Sequence, residues 1–232
     1  MNIRGIYKTS LVNFPGRICT VLFTGGCNLR CRFCHNPELV QNSSNLEIYS
    51  VEYILDFLEK RKSKVNAVTI SGGEPTIDSG IESFLKKLKD LDLIIKLDTN
   101  GLNPTVIERL VSNKLIDYAA VDVKTSPEKY ELLTGIKVNF EHIINTISIV
   151  QECPLGMEIR TTCIPEFTEL SDFEKIGAIL GRVKKYYIQQ FVTSNKLIDS
   201  NMTNTKPFSA AKLHELKVCI ESFADLCEIR GL

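Results

Sequence analysis

The chain has 232 residues, and its 28 basic and 28 acidic residues cancel to a formal net charge of +0 at pH 7. That balance leaves no electrostatic footprint for nucleic acid and no polybasic patch for a membrane surface. No basic segment leading into an apolar stretch opens the chain and no run is long enough to cross a bilayer, so the sequence predicts a cytoplasmic protein, with one domain over 1–232.

Apolar runs rich in β-branched and aromatic residues predict strands at 18–24, 65–70, 93–98, 117–123, 157–163 and 186–191. Between them, apolar residues three or four apart predict helices at 50–62, 79–90, 105–113, 140–151, 171–182 and 209–225. Asn103-Pro104 and Ser209 are start signals for two of these helices. Residues 41–46 and 194–206 read as polar loops. Strict alternation of strand and helix means a parallel sheet with right-handed crossovers. Six such units curl into an α/β fold, a partial (β/α)6 open barrel of the TIM type, with a doubly wound flat sheet as the alternative.

Cys27, Cys31 and Cys34 follow the first predicted strand with spacing C-x3-C-x2-C. Three thiolates suit a 4Fe-4S cluster with one iron left open to an external molecule, as catalytic metal sites keep a free position. This favours an enzyme over an electron carrier. His35 would complete a Cys3His zinc set only by crowding Cys34, its neighbour in the chain. Zinc would also leave the rest of the polar rim unexplained. His142 and His214 fall on predicted helices and read as ordinary residues. Cys19 and Cys163 lie in predicted strands, Cys219 and Cys227 in or just beyond the last helix, and with Cys153 they read as buried thiols.

The other unusual residues fall at the ends of successive strands, the face on which such folds build their sites. These are Ser71-Gly72-Gly73-Glu74-Pro75, Asp98-Thr99-Asn100-Gly101, Asp122-Val123-Lys124 and Arg160-Thr161-Thr162-Cys163-Ile164-Pro165. Singly, each reads as a turn or a cap. Turn chemistry alone has no reason to bring a glutamate, two aspartates, a lysine and an arginine onto one rim.

Taken together, the cysteine loop, Gly-Gly-Glu, Asp-Thr-Asn-Gly and Asp-Val-Lys resemble the radical S-adenosylmethionine superfamily, in its glycyl-radical-activating branch. Cys34-His35-Asn36-Pro37 and Thr9-Ser10-Leu11-Val12-Asn13-Phe14-Pro15-Gly16 resemble the anaerobic ribonucleoside-triphosphate reductase activating proteins and pyruvate formate-lyase activating enzyme. The resemblance implies reductive cleavage of S-adenosylmethionine by a 4Fe-4S cluster and hydrogen abstraction from a glycine of a partner protein, with a flavodoxin or ferredoxin as electron donor. It implies that Cys27, Cys31 and Cys34 hold the cluster, that Phe33 packs on the adenine, and that Gly73 and Glu74 meet the ligand's amino group. Lys124 would face its carboxylate, Arg160 would add a polar contact, and Asp98, Thr99, the carbonyl of Ala120 and Asp122 would hold a monovalent cation.

Three positions depart from the family pattern. Thr162 stands where a valine usually packs on adenine, Gln189-Gln190-Phe191 lacks a ribose-binding histidine, and Asn13 stands where aspartate is common before Pro-Gly. The favoured partner is the anaerobic reductase. The alternatives are a pyruvate formate-lyase or, with a small-molecule substrate, a deazapurine-forming enzyme.

Overall fold

The computed structural model describes residues 1–41, 43–193 and 196–232. Eight strands form one sheet in chain order: β1 (Ile3–Phe14), β2 (Arg17–Thr24), β3 (Ala67–Gly72), β4 (Ile94–Thr99), β5 (Tyr118–Asp122), β6 (Met157–Cys163), β7 (Val183–Gln190) and β8 (Ala224–Arg230). β1 pairs antiparallel with β2, and every later pairing is parallel. A doubly wound sheet must reverse its strand order at a switch point. This order never reverses, so the sheet curls in one direction, and β1 and β8 remain its two edge strands. The open barrel is the observed architecture, and the flat alternative is not.

The helices are α1 (Pro37–Gln41), α2 (Val51–Glu59), α3 (Ile81–Asp90), α4 (Pro104–Ser112), α5 (Pro127–Thr134), α6 (Phe140–Val150), α7 (Leu170–Leu180) and α8 (Ala210–Glu221). All six expected strands and all six expected helices are present, with ends shifted by a few residues. Four elements were not foreseen: β1, α1, α5 and β8. Consequently the sheet carries seven parallel strands instead of six, plus one antiparallel edge. Cys227 sits in β8 rather than in or beside a helix. The expected loop 41–46 contains the end of α1 and a short 3-10 turn at Ser43–Asn45, and residues 194–206 contain another at Ser200–Asn204. Residues 42, 194 and 195 of those loops lie outside the described residues.

Strand alternation divides the core in two. Ile95 and Leu97 of β4 and Ile159 of β6 join Phe84 and Leu88 of α3, Ile107 of α4 and Phe173 of α7 in the main apolar cluster between sheet and helices. Residues of the other parity line the barrel interior. A small plug of Phe14, Cys19, Val21, Ala67 and Tyr118 fills part of it. Much of the rest is polar: Lys96 and Asp98 alternate with Ile95 and Leu97, and Glu158 and Arg160 flank Ile159.

Candidate functional site

Two glycines set the cysteine loop against the barrel. Gly72 has φ +116, and a Cβ there would lie 2.4 Å from the Thr24 backbone nitrogen. At Gly73 a Cβ would lie 1.8 Å from the carbonyl oxygen of Gly26, which itself accepts the Glu74 backbone N–H at 2.9 Å. Close backbone approach, for which glycine is suited, is therefore what Gly72-Gly73 provides, beyond a tight turn. Three further segments pin the loop. The Arg30 and Arg32 N–H groups donate to the Thr134 and Leu133 carbonyls at the end of α5, Gly26 N–H donates to Leu39 O, and Arg32 pairs with Asp199 at 2.6 Å.

Glu74 is 1% exposed, and its carboxylate accepts four hydrogen bonds. One oxygen accepts from the Thr76 N–H at 3.0 Å, the Thr76 hydroxyl at 2.5 Å and the Thr99 hydroxyl at 2.9 Å; the other accepts from the Asn100 N–H at 2.7 Å. Burial raises its pKa, and these donors work against that rise. The side chain thus ties the end of β3 to the end of β4. Asn100 in turn donates to the Asn28 side chain at 2.7 Å, joining β4 to the cysteine loop.

A cavity of about 280 Å³ opens between these loops, lined by Cys27, Cys31, Phe33 and Cys34 on one side. Gly73, Glu74, Asp98, Thr99, Asp122, Lys124 and Arg160 line the rest. Every side-chain position expected from the sequence at the site is therefore brought together. Ala120 is the exception: fully buried in mid-β5, in register with Asp98 and Glu158, it does not line the cavity. His35, Asn36, Thr162 and Gln189 are also at its wall. Asn13 is not there; it lines a separate cavity of about 490 Å³ with Val12, Lys96, Arg160, Gln189, Arg230 and Gly231. Val12 and Asn13 belong to the β1 edge and Arg230 and Gly231 to the β8 edge, so this second cavity lies at the barrel's open seam. Arg160 and Gln189 border both cavities.

The three thiols are held in a low-dielectric wall. Burial pushes Cys31 up to about 12 and raises Cys27 and Cys34, while Lys124 nearby acts in the opposite direction on all three. The Leu29 N–H donates to Cys27 Sγ at 3.4 Å. Lys124 Nζ lies 5.9 Å above the Phe33 ring. Its charge is opposed by burial, but the Asp122 carboxylate at 2.8 Å outweighs this and raises its pKa.

Across the cavity floor, ionic groups form a chain. Arg160 reaches Asp122 at 2.8 Å and Asp98 at 3.3 Å, Lys96 reaches Asp98 at 2.7 Å, and Arg230 grips Glu158 with bonds of 2.7 and 3.1 Å. Burial alone would raise both aspartates, yet Arg160 with Lys96 or Lys124 outweighs it and holds each below the usual carboxylate range. Lys96, Glu158 and Arg230 were not singled out from the sequence. Lys96-x-Asp98 and Glu158-x-Arg160 carried the signal, since residues two apart in a strand share a face and each pair combines opposite charges. Arg230 gave none, because its strand was not anticipated.

Residues 21–177 match the Radical SAM superfamily. A protein of Methanocaldococcus jannaschii named for the activation of glycyl-radical enzymes is 35% identical over 196 residues, 82% of this chain and 79% of that one. The pyruvate formate-lyase-activating enzyme of Clostridium pasteurianum is 27% identical over 189 residues, 78% of this chain and 77% of that one. Among solved structures, Streptococcus suis SuiB bound to S-adenosylmethionine aligns with a TM-score of 0.63 at 19% identity, over 89% of this chain and 48% of that one. QueE from Escherichia coli aligns at 0.58 and 15% identity, over 99% of this chain and 93% of that one. These two likenesses are of fold, and the chain spans about half the length of SuiB.

The superfamily implies a 4Fe-4S cluster and S-adenosylmethionine, and the residues present fit both. Three thiols on one wall, with no fourth cysteine among the lining residues, are the donor set of a cluster with one open iron. Among the described residues no three His, Cys, Asp or Glu side chains converge as ligands of a single ion; in a cubane each thiolate meets a different iron. Beside the thiols stand an aromatic ring and two cationic side chains that complement an adenine and a carboxylate. On its matched residues, its relatives and this constellation, the chain belongs to the Radical SAM superfamily, within its glycyl-radical-activating branch.

Proposed function

We propose that the protein is a glycyl-radical-activating enzyme whose partner is an anaerobic ribonucleoside-triphosphate reductase. The observation that carries this reading is the pair of adjoining cavities, one lined by Cys27, Cys31 and Cys34 with the ionic floor, the other at the open seam, sharing Arg160 and Gln189. A 4Fe-4S cluster held by Cys27, Cys31 and Cys34 would supply the electron for reductive cleavage of S-adenosylmethionine and so for hydrogen-atom abstraction. The chain's own residues bind, orient and neutralise. Phe33 offers a ring for the adenine, Lys124 and Arg160 meet the ligand's carboxylate, and the backbone around Gly73 and Glu74 meets its amino group. The Glu74 carboxylate itself is committed to Thr76, Thr99 and Asn100.

A monovalent cation at Asp98, Thr99, the Ala120 carbonyl and Asp122 would have to displace a basic side chain, since each aspartate already meets two. In our reading Lys96, Arg160 and Lys124 supply that positive charge.

The seam is the entry for an extended segment of the partner, and a glycine, lacking a side chain, lets its Cα come closest to the ligand. Cys34-His35-Asn36-Pro37 and the Thr9–Gly16 segment are shared with activators of both the reductase and pyruvate formate-lyase, so pyruvate formate-lyase is the second partner to test. We assign a single catalytic unit, supported by one sheet running from Ile3 to Arg230, with a flavodoxin or ferredoxin as donor and a cytoplasmic setting. No helix among the described residues is long and apolar enough to cross a membrane. The test is to incubate the reduced protein with S-adenosylmethionine and a partner whose glycines are α-deuterated. Deuterium should appear in 5′-deoxyadenosine; its absence alongside deuterium transfer from a small molecule would overturn the assignment.

A further inference from the structure

Lys96 is the one basic residue among those described that is fully buried, at 1% exposure, and it lines the seam cavity but not the ligand cavity. Its ammonium donates to Asp98 Oδ1 at 2.7 Å and to the backbone carbonyl of Asn13 at 2.8 Å, with Glu158 Oε1 at 3.7 Å. Asp98 faces the ligand cavity; Asn13 faces the seam. The segment around Asn13 has its own clasp. Ser10 Oγ accepts from the N–H groups of Val12 and Asn13 at 3.2 Å each and donates to Asn13 Oδ1 at 2.6 Å. One chain of charge-assisted bonds therefore runs from Asn13 through Lys96, Asp98, Arg160 and Asp122 to Lys124.

We propose that Lys96 is a positioning residue that links the β1 segment Ser10–Phe14, at the seam, to the S-adenosylmethionine site. The inference rests on the functional reading above. Ligand carboxylate at Arg160 and Lys124 competes with Asp98 and Asp122 for those cations, so Asp98 then depends more heavily on Lys96. Lys96 held in place holds the Asn13 carbonyl. By linkage the effect is reciprocal: whatever holds the segment at the seam strengthens ligand binding, and whatever pulls it away weakens it. A partner chain entering the seam acts on the ligand site through this lysine.

The experiment uses reconstituted protein with its cluster oxidised, so that S-adenosylmethionine binds without turnover, and follows amide hydrogen exchange over residues 10–16. In the wild type, ligand slows exchange there about fivefold or more, the lower range of typical coupling between sites. In Lys96→Met the ligand binds on the order of tenfold more weakly, the effect of losing one charged hydrogen bond, iron content is unchanged, and exchange over 10–16 no longer responds to ligand. Should Lys96→Met fail to fold, Ser10→Ala takes its place, since Ser10 lines neither cavity. It should speed exchange over 10–16 and weaken S-adenosylmethionine binding, and unchanged affinity would overturn the proposal. So would exchange that ignores ligand in the wild type or responds equally in Lys96→Met. Wild-type protein that loads its cluster but does not bind S-adenosylmethionine would overturn the functional reading, and this inference with it.

Discussion

Gly73 shows how much a single residue decides. With Gly26 O 1.8 Å from the position of a Cβ, Gly73→Ala must push the cysteine loop off the end of β3. Anaerobic reconstitution of that variant should give clearly less iron and sulfide than the wild type, although no cysteine is altered; full loading would show that the loop has room to shift. Cys31→Ala should lose the cluster's colour and all cleavage of S-adenosylmethionine, and stoichiometric zinc without sulfide in the wild type would contradict the assignment. Glu74→Ala strands buried donors on Thr76, Thr99 and Asn100, at roughly 1–3 kcal/mol for each one left unpaired. It should therefore cost about 3 kcal/mol or more of stability, measured by denaturant unfolding. A change under about 0.5 kcal/mol, the range of an ordinary surface substitution, would show that water replaces the carboxylate there. At this scale the sequence was informative where residue type is chemically unusual, as with the cysteines, Glu74 and Asp122. It was silent on Ser10 and Asn28, whose roles arise only from what the fold sets beside them.

Among elements, β1, β8 and α5 escaped sequence reasoning because each lacks the pattern that identifies the others. β1 is broken by register shifts after Ile3, Tyr7 and Ser10, so its burial never settles into alternation. β8 begins three residues after α8 ends, and its first two residues fall inside the predicted helix 209–225. α5 has eight residues and little segregation of apolar from polar faces, although Pro127 in its first turn and Gly135 at φ 70 after its end are ordinary boundary signals. Its loss from the reading mattered, because its last carbonyls hold the cysteine loop.

The ionic chain also belongs to this scale, since it ties β4, β5 and β6 together across the interior. Asp98 and Asp122 titrate lower in the folded protein than the roughly 3.9 of a free aspartate. Their contribution to stability is therefore complete above that value and is lost as pH falls through the depressed folded-state values. Asp98→Asn should be less stable than the wild type near neutrality, but the two stability curves should converge as pH falls below about 4. Parallel curves from denaturant unfolding across that range would mean that the ion pairs contribute nothing net.

For the whole molecule, the decisive property is that strand order runs from β1 to β8 without reversal and without closing. Alternating strands and helices made the curled parallel sheet legible, and the polar segments at strand ends pointed to the residues that line the candidate site. The seam was only half legible, because both strands that border it were missing from the sequence reading. An open barrel puts a large second cavity against the ligand cavity, where a closed one would bury its interior. That arrangement favours a protein segment as substrate. The most direct measurement is electron paramagnetic resonance of an anaerobic mixture of the reduced protein, S-adenosylmethionine and the candidate reductase. The account predicts a glycine-centred doublet that grows with 5′-deoxyadenosine and is absent with Cys31→Ala; efficient formation of 5′-deoxyadenosine on a small molecule, with no doublet from any glycyl-radical partner, would contradict it.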